Sequence, residues 1–156
     1  MNRGHFYFIK NTYFTDFPDP YLMQNKEIIQ GQPHSRPCFY FFKTNSSDIF
    51  WMIPFSSQIQ KYSKVYEHKV KKYGNCDTIV FGNVLGYRKA FLIQNMFPVT
   101  SKYIDSEYIH CATPVRVAGS LEKELMRKAK KVLALQRKGF RLILPDVLSI
   151  ERALQE

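Results

Sequence analysis

The sequence has few of the features that mark several large classes of protein. It contains only three cysteines, Cys38, Cys76 and Cys111, which are widely spaced and form no CxxC pair. This scarcity argues against a secreted domain held together by disulfides, so we expect a reducing, cytoplasmic environment. The first apolar run, residues 6–9, is too short for a signal-peptide core or a membrane span, and no later run is long enough.

Recognisable catalytic and metal-binding motifs are also missing. Neither GxxxxGK[ST], GxGxxG nor GxSxG occurs, which excludes the common motifs for phosphate cradles, dinucleotides and esterase nucleophiles. The four histidines lack HxxxH spacing, and the neighbours His110 and Cys111 would point to opposite faces of a strand. The closest carboxylates, Asp105 and Glu107, are most simply solvated. We therefore expect no metal site and no cofactor.

Positive charge and aromatic side chains are abundant. The 156 residues carry 23 Lys+Arg against 13 Asp+Glu, a formal net charge of +10, and aromatic residues make up 15% of the chain. This combination suits a surface that meets phosphates and bases. At this length a single domain over residues 1–156 is the default expectation.

The order of predicted elements favours an α+β domain with a compact, twisted antiparallel β-sheet core. Apolar residues at three- and four-residue spacing predict helices over 56–74, 120–138 and 147–155, and we expect Tyr62, Tyr66 and Tyr73 on the buried face of the first. Short aromatic and β-branched runs predict strands over residues 5–10, 37–43, 48–55, 77–86, 88–95 and, more weakly, 107–112.

Two of the predicted helices have a strong excess of positive charge. An ordinary solvated face mixes signs and gains i,i+4 ion pairs, whereas these faces have few acidic residues, so we interpret them as phosphate-binding surfaces. An anionic membrane is the alternative partner, but the basic helices lack a large apolar face for insertion. The predicted RNA-binding residues are Lys61, Lys64 and Lys72 in the first helix and Arg127, Lys128, Lys130, Lys131, Arg137 and Lys138 in the second.

A candidate site lies where two predicted strands meet the first helix. Antiparallel pairing would bring Arg36, at the start of one strand, near Ser56 and Ser57 at the end of the other. Free N–H groups and the helix dipole at the start of the helix favour a bound phosphate there. The alternatives are structural, because Ser57 and Gln60 have the spacing of a capping box and His34 could be an ordinary exposed turn residue.

The order of several short motifs resembles the ToxN/AbiQ endoribonuclease toxins of type III toxin–antitoxin systems, most closely their CptN branch. The similar motifs are HFYFIKNTYF at 5–14, a basic residue opening an aromatic strand at 36–40, WMIPFSS at 51–57 and FLIQNMFPV at 91–99. Together they span most of the chain in the family's order. The resemblance implies a fold related to the Kid/MazF toxins.

The resemblance also implies a metal-independent ribonuclease that cuts its own RNA antitoxin from a precursor and is then inhibited by it. The partners would be substrate RNA and an antitoxin of small pseudoknotted repeats, assembled with the toxin into a closed complex, with no membrane. By motif match, Ser57 is the serine of the nucleophile region, Ser56 its hydroxyl neighbour and Arg36 the basic residue of the catalytic site. Arg36 replaces the lysine of some members, and Gln58-Ile59 replaces a frequent Pro-Lys.

The mechanism that we then expect is attack of the substrate's 2′-hydroxyl on the adjacent phosphorus, giving a 2′,3′-cyclic phosphate and a 5′-hydroxyl. Arginine is a poor general base, so we assign Arg36 to charge stabilisation. Ser57 would orient the 2′-hydroxyl or relay its proton, and His34 is the best available acid or base. A non-catalytic RNA-binding module is the alternative function, since it would explain the basic helices without any use for Ser57.

Overall fold

The computed structural model describes residues 1–45 and 47–156 and confirms the α+β class, with a large antiparallel sheet and helices packed around it. No helix in the described ranges is long and apolar enough to cross a membrane. The helices are α1 (Asn11–Asp16), α2 (Ile59–Tyr73), α3 (Gly119–Arg137) and α4 (Val147–Leu154), with short 3-10 helices at Ile93–Asn95 and Ser101–Tyr103. The strands are β1 (Phe6–Ile9), β2 (Lys26–Ile29), β3 (Gln32–Ser35), β4 (Pro37–Lys43), β5 (Phe50–Ser56), β6 (Ile79–Val84), β7 (Tyr87–Leu92), β8 (Phe97–Val99), β9 (Ile104–Glu107), β10 (Ile109–His110) and β11 (Thr113–Pro114).

Strand β5 is the central strand of the main sheet. The strands follow the order β6-β7-β5-β4-β1-β9, and β8 pairs with the first half of β5 while β7 pairs with its end. Every residue of β5 is buried. The nearly continuous apolar run FWMIPF is therefore explained by burial on both faces of the sheet.

Residues of β7 alternate between two apolar cores. Phe91 packs in the larger cluster with Phe6, Phe39 and Phe55, whereas Ala90 and Leu92 join a smaller cluster with Tyr62 of α2. Successive side chains of a strand point to opposite faces, so the second half of β7, from Ala90 onward, is covered on both sides. This packing fixes the position of α2 against the end of the sheet, where the candidate site lies.

Tight hairpins connect three pairs of strands. The turns Gln30–Gly31 between β2 and β3, Leu85–Gly86 between β6 and β7, and Cys111–Ala112 between β10 and β11 all have positive φ at both residues. Two consecutive left-handed residues match the right-handed twist of a two-residue hairpin. The prediction of one strand over 107–112 was wrong, because the chain turns at Cys111–Ala112.

The predicted helices are correct in position but differ in detail. α2 begins at Ile59, three residues late, and is capped at its C-terminus by Gly74, which has a left-handed backbone. Tyr73 is 66% exposed, so its prediction as a buried residue was wrong. The physical reason is that the apolar cluster beneath α2 reaches only to Val70, and the chain reverses at Gly74.

Candidate functional site

The predicted proximity of Arg36 to the end of β5 is confirmed. β4 and β5 pair with Cys38 opposite Pro54, which brings the residue before β4 to the last residues of β5. Arg36 is buried, and its Nη1 donates a hydrogen bond of 2.5 Å to the backbone oxygen of Phe55. Its Nε donates to the backbone oxygen of Gln24 at 2.9 Å.

A buried glutamate that sequence reasoning missed holds this cluster together. Glu27 lies on β2 and is 8% exposed. Its Oε2 accepts hydrogen bonds from Ser56 Oγ at 2.8 Å and from Arg36 Nη1 at 3.3 Å. The backbone N–H of Ser57 is 3.1 and 3.2 Å from the two carboxylate oxygens. One carboxylate on β2 thus joins the residue before β4, the end of β5 and the turn into α2.

The Glu27 carboxylate occupies the position before α2 where the sequence predicted a phosphate. Ser56 Oγ also accepts a hydrogen bond of 3.1 Å from the N–H of Gln58, so this hydroxyl fixes the turn. The N-cap of α2 is Gln58, and no side chain caps it. The capping-box interpretation of Ser57 is therefore wrong, and its hydroxyl is left for another role.

Glu27 is suited to positioning its neighbours and not to accepting protons. Burial opposes its ionisation, but the hydrogen bonds from Ser56 and Ser57 and the charge of Arg36 outweigh that cost, so its pKa lies below the ordinary value. Glu27 is consequently a carboxylate at neutral pH. Both of its oxygens are already engaged by donors of the protein.

Lys89 is the second functional residue that sequence reasoning missed. Its Nζ donates a hydrogen bond of 2.5 Å to Ser57 Oγ. The pairing of Phe55 with Phe91 and of Ser56 with Ala90 puts Lys89 beside Ser57. Burial lowers the pKa of Lys89, Glu27 opposes that shift and Arg36 adds to it. Lys89 and Phe91 are two residues apart and so lie on one face of β7. Because Phe91 is apolar, this spacing could have indicated a lysine that faces inward.

A cavity of about 600 Å³ opens beside this cluster. Glu27, Arg36 and Lys89 line it together with the two histidines His34 and His110. His34 is exposed on β3 and pairs directly with Glu27 across the hairpin, so both side chains lie on one face of that ladder. The cavity therefore brings imidazole, ammonium and guanidinium groups to one place, and the Ser57 hydroxyl lies next to it, bound to Lys89.

The nine predicted RNA-binding residues, which lie on α2, on α3 and at its C-cap, fall into two groups. Three of them bind acidic side chains: Lys128 Nζ lies 3.3 Å from Glu124, Lys131 Nζ lies 2.7 Å from Asp77, and Arg137 pairs with both oxygens of Glu151 at 2.7 and 2.8 Å. The other six, Lys61, Lys64, Lys72, Arg127, Lys130 and Lys138, are exposed and have no ion pair in the described part of the chain.

No family profile and no curated protein matches the sequence. The fold is similar to that of AbiQ, a lactococcal anti-phage endoribonuclease belonging to the type III toxin–antitoxin system. The TM-score is 0.67, the sequence identity is 13%, and the match covers 99% of this chain and 97% of AbiQ. At this identity the likeness establishes a shared fold over nearly the whole of both chains.

Proposed function

We propose that this protein is a metal-independent endoribonuclease, acting as the toxin of a type III toxin–antitoxin system of the CptN branch. The observation that carries the proposal is the hydrogen bond from Lys89, which lines the cavity, to the adjacent Ser57. Two further observations support the proposal. The fold resembles that of an endoribonuclease over nearly the full length of the chain, and the chain has a net charge of +10.

The charges of the cluster suit a phosphodiester. Lys89 and Arg36 bring two positive charges against the one carboxylate of Glu27, which leaves one in excess. The Ser57 hydroxyl oxygen accepts a hydrogen bond from Lys89, so its own hydrogen is available for a hydrogen bond to a phosphate oxygen. Such preorganised donors stabilise the negative charge that grows on phosphorus during attack.

The reaction would be an intramolecular transesterification. The 2′-hydroxyl of the substrate forms a bond to phosphorus while the bond to the 5′ oxygen breaks, giving a 2′,3′-cyclic phosphate and a 5′-hydroxyl. One proton leaves the 2′ oxygen and one is delivered to the 5′ oxygen. The reaction therefore needs a group that can accept a proton and donate one. His34 supplies that chemistry at the cavity. DNA, which lacks the 2′-hydroxyl, would not be cut.

Arg36 takes a different role from the one its sequence position suggests. Three hydrogen bonds to Gln24, Glu27 and Phe55 occupy most of its guanidinium. We assign the direct contact with the phosphate to Lys89 and Ser57, and to Arg36 and Ser56 the positioning of the turn that carries Ser57.

Cleavage of single-stranded RNA in the presence of EDTA tests the proposal. The wild-type protein should produce 2′,3′-cyclic phosphate and 5′-hydroxyl ends, and Ser57→Ala should abolish cleavage while RNA binding is kept. Ser63→Ala on α2 is the matched control and should cleave normally. Wild-type protein that binds RNA without cutting it would favour the non-catalytic RNA-binding module.

The exposed cations of α3 fit a structured RNA that inhibits the enzyme. We infer an antitoxin made of small pseudoknotted repeats, cut from its precursor by the toxin and held with it in a closed complex. Expression of the protein alone should arrest growth, and co-expression of repeats encoded upstream should relieve the arrest. Harmless expression without any RNA partner would contradict the toxin assignment.

A further inference from the structure

Tyr87 is a large aromatic side chain left in solvent at the edge of the cavity. It is 71% exposed, although it is the first residue of β7 and its backbone pairs with Val84 of β6. It belongs to neither apolar core within the described ranges. Exposing a tyrosine ring costs contact with the core, so packing does not account for its position.

The strand geometry fixes Tyr87 relative to the catalytic cluster. Tyr87, Lys89 and Phe91 are two residues apart and so lie on one face of β7. The Nζ of Lys89 is 6.0 Å from the centre of the Tyr87 ring and 2.5 Å from Ser57 Oγ. The amine therefore lies next to both the Tyr87 ring and the Ser57 hydroxyl.

The turn before Tyr87 holds the backbone of this residue at the edge of the cavity. Leu85 and Gly86 have φ values of 52° and 82°, and both Leu85 and Tyr87 line the cavity. A two-residue turn of this kind, flanked by a paired ladder, leaves the hairpin little freedom. The backbone that carries the ring is therefore held in place, and only the two side-chain torsions of Tyr87 need ordering when a flat ligand binds.

We propose that the ring of Tyr87 stacks on an unpaired base of the substrate, next to the phosphate held by Lys89 and Ser57. This inference rests on the proposed function and adds that the substrate is single-stranded at the cleavage point. Bases within a duplex are stacked on each other, whereas an aromatic side chain needs a base that has been splayed out. Stacking on Tyr87 positions the nucleotide and tolerates different bases.

Fluorescence titration with a short single-stranded RNA tests the stacking directly. The RNA carries 2-aminopurine and is 2′-O-methylated throughout, so that it cannot be cleaved and reports binding alone. Tyr87→Ala should bind about 5- to 150-fold more weakly, which is the range of base–aromatic stacking, and should lose the fluorescence quenching. Tyr87→Phe should bind within about twofold of wild type, because it keeps the ring.

Tyr73 provides a matched control. It is 66% exposed and has a lysine, Lys72, with its Nζ 5.3 Å from the ring centre, but it lies at the end of α2 outside the cavity lining. Tyr73→Ala should bind within about twofold of wild type. Equal affinities of Tyr87→Ala and Tyr73→Ala would overturn the proposal, as would unchanged quenching in Tyr87→Ala.

A failure of this inference can be told apart from a failure of the proposed function. Wild-type cleavage of unmodified RNA, together with unchanged binding by Tyr87→Ala, would overturn the stacking alone. Weakened binding by Tyr87→Ala, in a protein whose wild type cuts no RNA, would confirm the stacking and overturn the nuclease.

Discussion

Two regions of the molecule carry positive charge in opposite ways. At the cavity, Arg36 and Lys89 lie beside the single carboxylate of Glu27, and hydrogen bonds hold the cluster in one geometry. On α3, exposed cations such as Arg127 and Lys130 have no acidic partner in the described ranges. The first arrangement fixes the positions of the charged groups. The second attracts a polyanion over a long range, and that attraction depends on the salt concentration.

The difference indicates separate tasks for the two regions. A buried cluster resists small changes in geometry and suits a chemical step, in which donors must be in place before charge develops. An exposed basic face tolerates variation and suits the backbone of a large RNA. Changes at the cavity should therefore affect turnover or folding, and changes on α3 should affect affinity.

The largest effect is expected for Glu27→Gln, which removes the charge that neutralises buried Arg36. Breaking one side of a buried ion pair costs about 3–5 kcal/mol of unfolding free energy, because the remaining charge is left without its partner. Urea denaturation at neutral pH measures this loss. Glu67→Gln, at an exposed position of α2, is the control and should stay within about 0.5 kcal/mol of wild type.

The same variant has an expected dependence on pH. The pKa of Glu27 is lowered in the folded state, so its contribution to stability is present above the ordinary value of 4.5 and is lost as the pH falls through the folded pKa. The stability difference between wild type and Glu27→Gln should shrink as the pH is lowered below 4.5. A difference that stays constant into acid would show that the carboxylate charge does not hold the cluster.

The next largest effect is expected for Lys89→Met. Loss of one preorganised donor to the developing charge should lower kcat about 10²- to 10³-fold, and the loss of one phosphate contact should weaken RNA affinity by less than that. The adjacent Arg88 is the control, because its side chain lies on the other face of β7 over the ring of Phe81. Arg88→Met should keep kcat within a few-fold of wild type. Equal losses of kcat in both variants would mean that Lys89 contributes only its positive charge and not a specifically placed donor.

A smaller and different effect is expected from reversing charge on α3. Replacing Arg127 and Lys130 of α3 and Lys138 at its C-cap with glutamate should weaken binding of a structured RNA about 10²-fold, if each contacts one phosphate. Cleavage of a short single-stranded RNA should change much less. Filter binding and a gel assay of cleavage measure the two quantities on the same protein, and equal losses would contradict the division of tasks.

The sequence predicted the parts of the fold that burial controls. Strands with buried aromatic runs, such as β4 and β5, were predicted correctly, as were α2, α3 and α4. The hairpin of β2 and β3 was missed because β3 is exposed throughout and reads as a polar loop. Glu27 lies on that hairpin, and its hydrogen bonds to Ser56 and Arg36 join residues 29 and 9 positions apart, beyond the reach of any local pattern.

The smallest effect separates two neighbouring lysines of α3. Lys131 is paired with Asp77 at 2.7 Å, whereas Lys130 is exposed without an ion pair in residues 1–45 and 47–156. A lysine that already has a carboxylate partner releases fewer counterions when RNA binds. Lys130→Ala should reduce the slope of log affinity against log salt concentration by about 0.7–0.9, and Lys131→Ala by less. If both slopes fall equally, the ion pair opens on binding, and the contrast between compensated and uncompensated charge does not extend to single residues of this face.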